Sequence, residues 1–447
     1  MCCWRPQSSG MLTTVASAPH VRRLGLAITI AGFAGILLAT LFPDSDSPIA
    51  SHFCLICGSR GGVDAVLNII LFVPLGIGLG LLGARARLAL SAMCVLSALI
   101  ETTQFFFIAG RDATIGDVVM NTLGGALGLV IGRHAFTLLR PSSRIALLLS
   151  VGGSIVWLAI QTVSASGFSP AIPSSEYYGE IARQLGHFEQ FRGRVLHASI
   201  ADVPVPDTRF ADSRKVRELL DHGATVTTTV LPAGRTHDIA PIVRVADARQ
   251  REIVLLAQDG DKLIFGVRTR AVVLGFRPPI FALSDLFPAV ARRDIGLTTD
   301  TIAMRASYST REARLNAQTA RVTRDRRIAT RASLAWTMVL PFQWHIEGTS
   351  AELLVSGIWI AWMLIPIGYW GEVGTRLFRG ADTARTRVIL VSIAVALLYV
   401  GLVVVPLAFG LSPAPPSDWL AAVIGTLLGA AIATRVAERD AVRGSTA

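Results

Sequence analysis

The sequence predicts a polytopic α-helical membrane protein of about eight spans, built as two four-helix repeats, with an extracytoplasmic all-β sandwich inserted in the second. Three observations predict it. Of 447 residues, 52% are hydrophobic and the mean hydropathy is +0.53, beyond the usual range of soluble chains. Arginines gather in short connections: Arg85/Arg87, Arg133/Arg140/Arg144, Arg376/Arg379/Arg385/Arg387 and Arg435/Arg439/Arg443. Residues 165–335 instead carry strand-like alternation.

The spans follow in order. Arg22-Arg23 precedes an apolar run, 24–42, that lacks an A-x-A-like cleavage site before Pro43. A retained anchor is expected over a cleaved signal peptide. Further apolar runs lie at 63–83, 88–108, 115–132, 145–163, 351–371, 387–410 and 418–434. A hydrocarbon core of roughly 30 Å needs ~20 helical residues, so each is a candidate span. Placing the N-terminus in the cytoplasm puts every arginine-rich connection inside, as the positive-inside rule requires. Both termini are then cytoplasmic and 165–335 is extracytoplasmic. The domains expected are a first membrane repeat at 22–140, a fifth span at 145–164, the sandwich at 165–335 and the remaining second repeat at 350–435. The net charge of +11 belongs to these loops, so nucleic acid is not an expected partner.

The segment 165–335 contains "ATVTTTVLP", "PIVRVAD", "EIVLLAQ", "KLIFGVRT" and "DTIAMRASYS", separated by polar, Gly and Pro punctuation. Period-2 runs at this spacing indicate a sandwich. "QDGDK" reads as a tight hairpin turn; three residues are too few for a calcium site.

The stretch "ETTQFFFIAGRDATIGDVVMNTLGG", residues 101–125, breaks the apolar pattern. On the predicted topology Glu101 lies ~10 Å below the outer surface and Asn121 ~9 Å, from a rise of about 1.5 Å per residue. Asp64 and Asn68 occupy the same slab. Asp64/Asn68 and Asp117/Asn121 are spaced i,i+4 and Glu101/Gln104 i,i+3, so each pair shares a helix face. Ionisable groups in lipid normally face a bundle interior. Two readings follow: interhelical polar glue with an Arg111–Asp112 cap at the rim, or an outward-facing pocket for a polar headgroup or sugar. Gly124, Gly128 and Gly132 form small-xxx-small steps suited to close helix packing.

An internal alignment separates these readings. "GDVVMNTLGGALG" aligns without gaps with "SDWLAAVIGTLLG", and "LFVPLG" with "MLIPIG". Asp117, Gly124 and Gly128 thus align with Asp418, Gly425 and Gly429; Pro74 and Gly76 align with Pro366 and Gly368. Asn68 becomes Ile360 and Asn121 becomes Ala422. The packing residues survive where the polar set is lost, which favours a functional site in the first half.

The order and spacing of "NIILFVPLG", "ETTQ" and "GRDATIGDVVMNTLGGALG" resemble the VanZ-like family over about residues 24–135. The resemblance implies recurring polar positions at Asn68, Glu101, Gln104, Arg111, Asp112, Asp117 and Asn121, with a turn at Pro74 to Gly76. It also implies a link to glycopeptide (teicoplanin) antibiotic resistance, without a settled biochemical activity. The insert, through "APIVRVAD" and "REIVLLAQDGDKLIFGVRTRAVVL", resembles a concanavalin A-like (laminin-G-like) sandwich, a class that often binds glycans.

Other signals are weaker. Cys54 and Cys57 in "HFCLICG" suit a local disulfide or two plain thiols; they lack the further ligands or βαβ context of a metal or redox site. "RVTRDRRIATR", 321–331, is a solvated basic face or a contact for anionic headgroups. His345 and Glu347 do not form an HExxH motif, and no P-loop, nucleophile elbow or dinucleotide fingerprint occurs. The expectation is a bacterial inner- or plasma-membrane protein that binds a glycan, glycopeptide or lipid-linked glycan without catalysis. Its partners are then membrane lipid and that glycan, and no cofactor or metal is expected. The alternatives are an enzyme on a lipid-linked substrate with Glu101 as acid or base, and a transporter.

Overall fold

The computed structural model describes residues 19–41, 60–108, 114–186, 188–221, 223–287, 301–378 and 383–445. The chain divides into two compact units, Met1–Ala146 and Leu147–Ala447. Among the described residues, eight helices are long and apolar enough to cross a membrane, and the protein is accordingly a membrane protein with a separate β-rich region. Large apolar side chains such as Phe107 (82% exposed) and Trp362 (76%) cover the helix surfaces. That is unfavourable in water and expected against lipid.

The first unit contains α1 (Pro19–Thr40), α2 (Gly61–Leu81), α3 (Ala86–Phe107), α4 (Ile115–Arg133) and the short α5 (Ala135–Leu139). Its core is Ile36, Phe72, Leu75, Met93, Ile100 and Leu129, with Ala89. Helices α2 and α4 meet backbone to backbone. A Cβ on Gly124, Gly128 or Gly132 would overlap the carbonyl oxygen of Ile69, Val73 or Ile77, and one on Gly76 would overlap that of Gly125. Residues four apart repeat on one helix face, so two such rows can lie in register. Pro74 sits within α2. At one end, the Arg133 guanidinium donates to the Ala84 carbonyl beside Arg85.

Helix α6 (Ser143–Gly167) leads into the β region of the second unit. The strands are β1 (Tyr177–Ile181), β2 (Arg194–Ile200), β3 (Val203–Pro204), β4 (Ala224–Leu231), β5 (Ile239–Asp247), β6 (Glu252–Asp259), β7 (Lys262–Val267) and β8 (Ile280–Leu283). They continue as β9 (Ile302–Tyr308), β10 (Glu312–Gln318), β11 (Thr323–Ala329) and β12 (His345–Ile346). Short helices α7 (Ser213–Asp221), α8 (Arg270–Val273) and α9 (Trp336–Val339) interrupt them. Two six-stranded sheets form, ordered β1-β5-β6-β7-β8-β12 and β11-β10-β9-β4-β2-β3. Every pairing is antiparallel except β8 with β12.

One core joins the sheets. Ile242, Val254, Leu256, Phe265 and Phe281 of the first meet Val226, Val230, Met304, Tyr308 and Leu315 of the second. Strands β4, β9 and β10 alternate buried and more open positions, as a half-solvated sheet should. Strands β5 to β8 are buried on both faces, where Leu255, Ala257, Ile264 and Ile280 form a second apolar layer. The turn in "QDGDK" is a two-residue hairpin: Asp259 pairs with Lys262 and Gly260 takes φ +62°, a left-handed conformation that glycine adopts without a Cβ penalty.

Helices α10 (Ser350–Thr375), α11 (Thr383–Tyr399), α12 (Val405–Ala408) and α13 (Pro416–Ser445) complete the unit, with a π turn at Val400–Val404. Trp157 of α6, Ile360 and Leu364 of α10, Leu398, Leu402 and Ala422 share their core. Here too glycines meet carbonyls: a Cβ on Gly425 would lie 2.7 Å from the Ala361 oxygen. One on Gly429 would overlap that of Ile365, and one on Gly368 that of Thr426.

Candidate functional site

The polar cluster of the first unit is assembled by the N-terminal turns of α2 and α4 and the last turns of α3. Thr114 is the N-cap of α4 in extended backbone, and its Oγ1 accepts from the Asp117 N–H at 3.1 Å. A hydroxyl cap satisfies one of the orphan amides at a helix start. The same Oγ1 donates to Asp117 Oδ2 at 2.9 Å. Asn68 Nδ2, from the second turn of α2, donates to Asp117 Oδ1 at 2.6 Å. Glu101 of α3 is buried, and its Oε2 accepts the Thr114 N–H at 3.0 Å. Two carboxylates therefore converge on the positive end of α4, where a helix favours negative charge. The bonds tie three helices together within one turn.

One turn deeper, Asn121 is only 2% exposed. Its Nδ2 donates to Ser97 Oγ on α3 at 2.9 Å, while its Oδ1 is buried without a hydrogen-bond partner among the described residues. Gln104 faces elsewhere: its Nε2 donates to the Thr40 carbonyl at the end of α1, at 2.9 Å. Asp64 is exposed in the first turn of α2. The structure thus brings Asn68, Glu101, Asp117 and Asn121 into one connected region and sets Gln104 beside it. Arg111 and Asp112 lie outside the described residues, as do Cys54 and Cys57.

Sequence reasoning missed Thr114, Ser97 and Thr40. Thr114 had a readable signal, since "TIGD" is a capping-box pattern. Ser97 is a lone hydroxyl in an apolar helix, and Thr40 contributes only its carbonyl, so neither carries a pattern.

In the second unit the starts of α10 and α13 are engaged from the β region. Ser333 Oγ donates to buried Asp418 Oδ2 at 2.6 Å, and Trp336 Nε1 donates to buried Ser356 Oγ at 3.0 Å. Both donors come from the segment between β11 and β12. Near the sandwich end of the same unit, Glu347 accepts from Lys262 Nζ and Ser284 Oγ, each at 2.6 Å. Burial pushes the Glu347 carboxyl up, but these two bonds outweigh it and hold it below its ordinary value.

No curated protein and no solved structure matches the chain. Residues 19–138, which span all four long helices of the first unit and the polar cluster, match the VanZ/LLP1 family model, so this part of the chain is VanZ-like.

Proposed function

We propose that this is a VanZ-like protein of the bacterial cell envelope whose first four-helix repeat presents an outward-facing polar pocket to a glycan, glycopeptide or lipid-linked glycan. In this reading both termini are cytoplasmic and the β region, concanavalin A-like in kind, is extracytoplasmic. The polar cluster lies at the end of the helices opposite Arg85 and Arg133, and the positive-inside rule assigns that arginine end to the cytoplasm. A role in glycopeptide resistance is compatible with a ligand of this class.

A single comparison carries the reading. The glycine–carbonyl contacts of α2 with α4 recur between α10 and α13 at the aligned positions: Gly124 on Ile69 as Gly425 on Ala361, Gly128 on Val73 as Gly429 on Ile365, Gly76 on Gly125 as Gly368 on Thr426. This correspondence supports two repeats. The packing is made again although Ile360 and Ala422, both fully buried, replace Asn68 and Asn121. Close helix approach therefore does not depend on the polar groups. The partnerless Asn121 Oδ1 points the same way, because an unsatisfied buried acceptor costs about 1–3 kcal/mol and is retained where a ligand or water supplies the donor.

The test compares membrane abundance with ligand recovery for Glu101→Gln and Asn121→Ala. Both should insert at wild-type levels and lose co-purifying lipid-linked glycan, read by mass spectrometry. Depletion of both from the membrane would instead make the cluster interhelical glue.

A further inference from the structure

The outer face of the second sheet carries a polar trough that the membrane cluster does not use. Alternation on β4, β9 and β10 turns Val226, Met304, Ala306 and Leu315 into the core, so the residues between them line the opposite face. Register sets these in two rows across adjacent strands: Thr225 opposite Ser307 and Ser307 opposite Arg314, then Thr227 opposite Arg305 and Arg305 opposite Asn316. The next strand extends the rows with Arg327 and Asp325. Thr225, Arg305, Ser307, Arg314 and Asn316 line a cavity of about 390 Å³, at the small end of ligand sites, which run roughly 300–1,000 Å³.

The two lining arginines are not equivalent. Arg314 is clamped by Asp325 through Nε at 2.9 Å and Nη2 at 2.8 Å. The Arg305 guanidinium is exposed and has no ion pair or hydrogen bond among the described residues. Three arginines thus share this face with two carboxylates, Asp325, which Arg314 already engages, and Glu312, two residues along β10 on the Arg314 side. Around Arg305 stand two hydroxyls and an amide, each able to donate and accept. No aromatic ring lines the trough, so a neutral sugar would find no stacking platform there. A guanidinium fork matches an oxyanion, and the neighbouring groups match hydroxyls.

We propose that this trough binds an oxyanion borne on a hydroxyl-rich scaffold, the chemistry of an acidic sugar. Arg305 takes the carboxylate or phosphate, Arg314 is held in place by Asp325 as a second cation, and Thr225, Ser307 and Asn316 read hydroxyls. The site is independent of the polar cluster of the first unit.

The experiment titrates the purified full-length protein in neutral detergent with glucuronate, glucose 6-phosphate and glucose, followed by ligand-observed NMR. At least one acidic sugar should bind, and glucose should bind at least about tenfold more weakly. Which acid binds better distinguishes carboxylate from phosphate. Arg305→Ala should weaken the acid by about tenfold or more, the scale of losing a hydrogen bond to a charged group, and Arg305→Lys by less. Arg305 is exposed, so the melting temperature should not move, and Glu101→Gln should leave this binding unchanged. Failure of both acids to bind, equal binding of glucose, or full retention in Arg305→Ala would overturn the assignment.

Discussion

Replacing Gly128 with alanine adds one methyl group where α2 and α4 have no room for it. The new Cβ would overlap the Val73 oxygen and stand 3.0 Å from Gly76 Cα and Ile77 N, against an ordinary contact of 3.4–4 Å. All three neighbours are backbone, so no side chain can swing away. The helices must part by roughly 1 Å along their tightest seam, and overpacking of this kind costs about 1–3 kcal/mol. Alanine returns up to ~1 kcal/mol through helix propensity. A net loss of up to about 2 kcal/mol remains. Gly35→Ala is the control: no atom lies within 4 Å of its Cβ, so only the propensity gain applies. Thermal unfolding in detergent, followed by the loss of monodisperse protein, should place the two variants on opposite sides of wild type. Gly429→Ala should repeat the loss, because its Cβ would meet Ile365 and Tyr369 backbone. If Gly128→Ala melts with or above Gly35→Ala, the helices are not held by glycine contact, and the comparison between the two halves loses its basis.

Two further predictions concern the β region and the topology. Burial pushes the Asp247 carboxyl up, but bonds from the Arg251 side chain and from the Arg251 and Arg249 N–H groups outweigh it and hold it below its ordinary value. A depressed folded value means the stabilisation is complete above the unfolded value of 3.8 and is lost as pH falls through the folded one. The melting temperature of the β region should therefore drop as pH falls below about 4, and Asp247→Asn should flatten that slope; an unchanged slope in the variant would remove Asp247 from the account. For the topology, single cysteines at Thr227 and at Arg87 should react oppositely with an impermeant maleimide, the first labelled from outside and the second protected. Labelling at Arg87 would reverse the proposed orientation.

Much of the membrane arrangement was legible because lipid imposes length and apolarity on every span, and because i,i+4 spacing puts Asp117 and Asn121 on one face whatever the neighbours are. The partners were less legible. Asn68 with Asp117 joins residues far apart in the chain, and only the shared depth of their helices hinted at it. Gln104 shows the limit of that argument: its spacing from Glu101 is right, yet it bonds the end of α1, because depth and face do not specify which neighbouring helix a side chain meets. The β region divides similarly. Period-2 runs revealed β4 and β9, where one face meets solvent. "EIVLLAQ" and "KLIFGVRT" are near-continuous apolar runs, the mark of strands buried on both faces, and reading them as period-2 missed the second apolar layer that Leu255, Ala257 and Ile264 form. Strand β12, two residues long and past residue 335, is too short for any periodicity and exists only because β8 offers it a parallel edge.

On the reading of two repeats, Ser356 aligns with Asp64 and Asp418 with Asp117, so these two positions remain polar when Asn68 and Asn121 do not. They are also the two that the β region grips, through Trp336 and Ser333. The segment that delivers those donors is itself packed inside: Ala332, Leu334, Ala335, Trp336 and Met338 are all buried. Removing either partner from a buried hydrogen bond leaves the other unsatisfied, a cost of about 1–3 kcal/mol, so in the second half polarity is retained where it anchors the insert. The deeper positions face no such donor and have become Ile360 and Ala422. In the first half the deeper pair is still amide, and one amide oxygen has no hydrogen-bond partner among the described residues. On that reading one repeat uses these helix ends to mount the β region, and the other keeps Asn68 and Asn121 bonded to Asp117 and Ser97 across its helices, with one amide oxygen that the proposed ligand, or water, would satisfy.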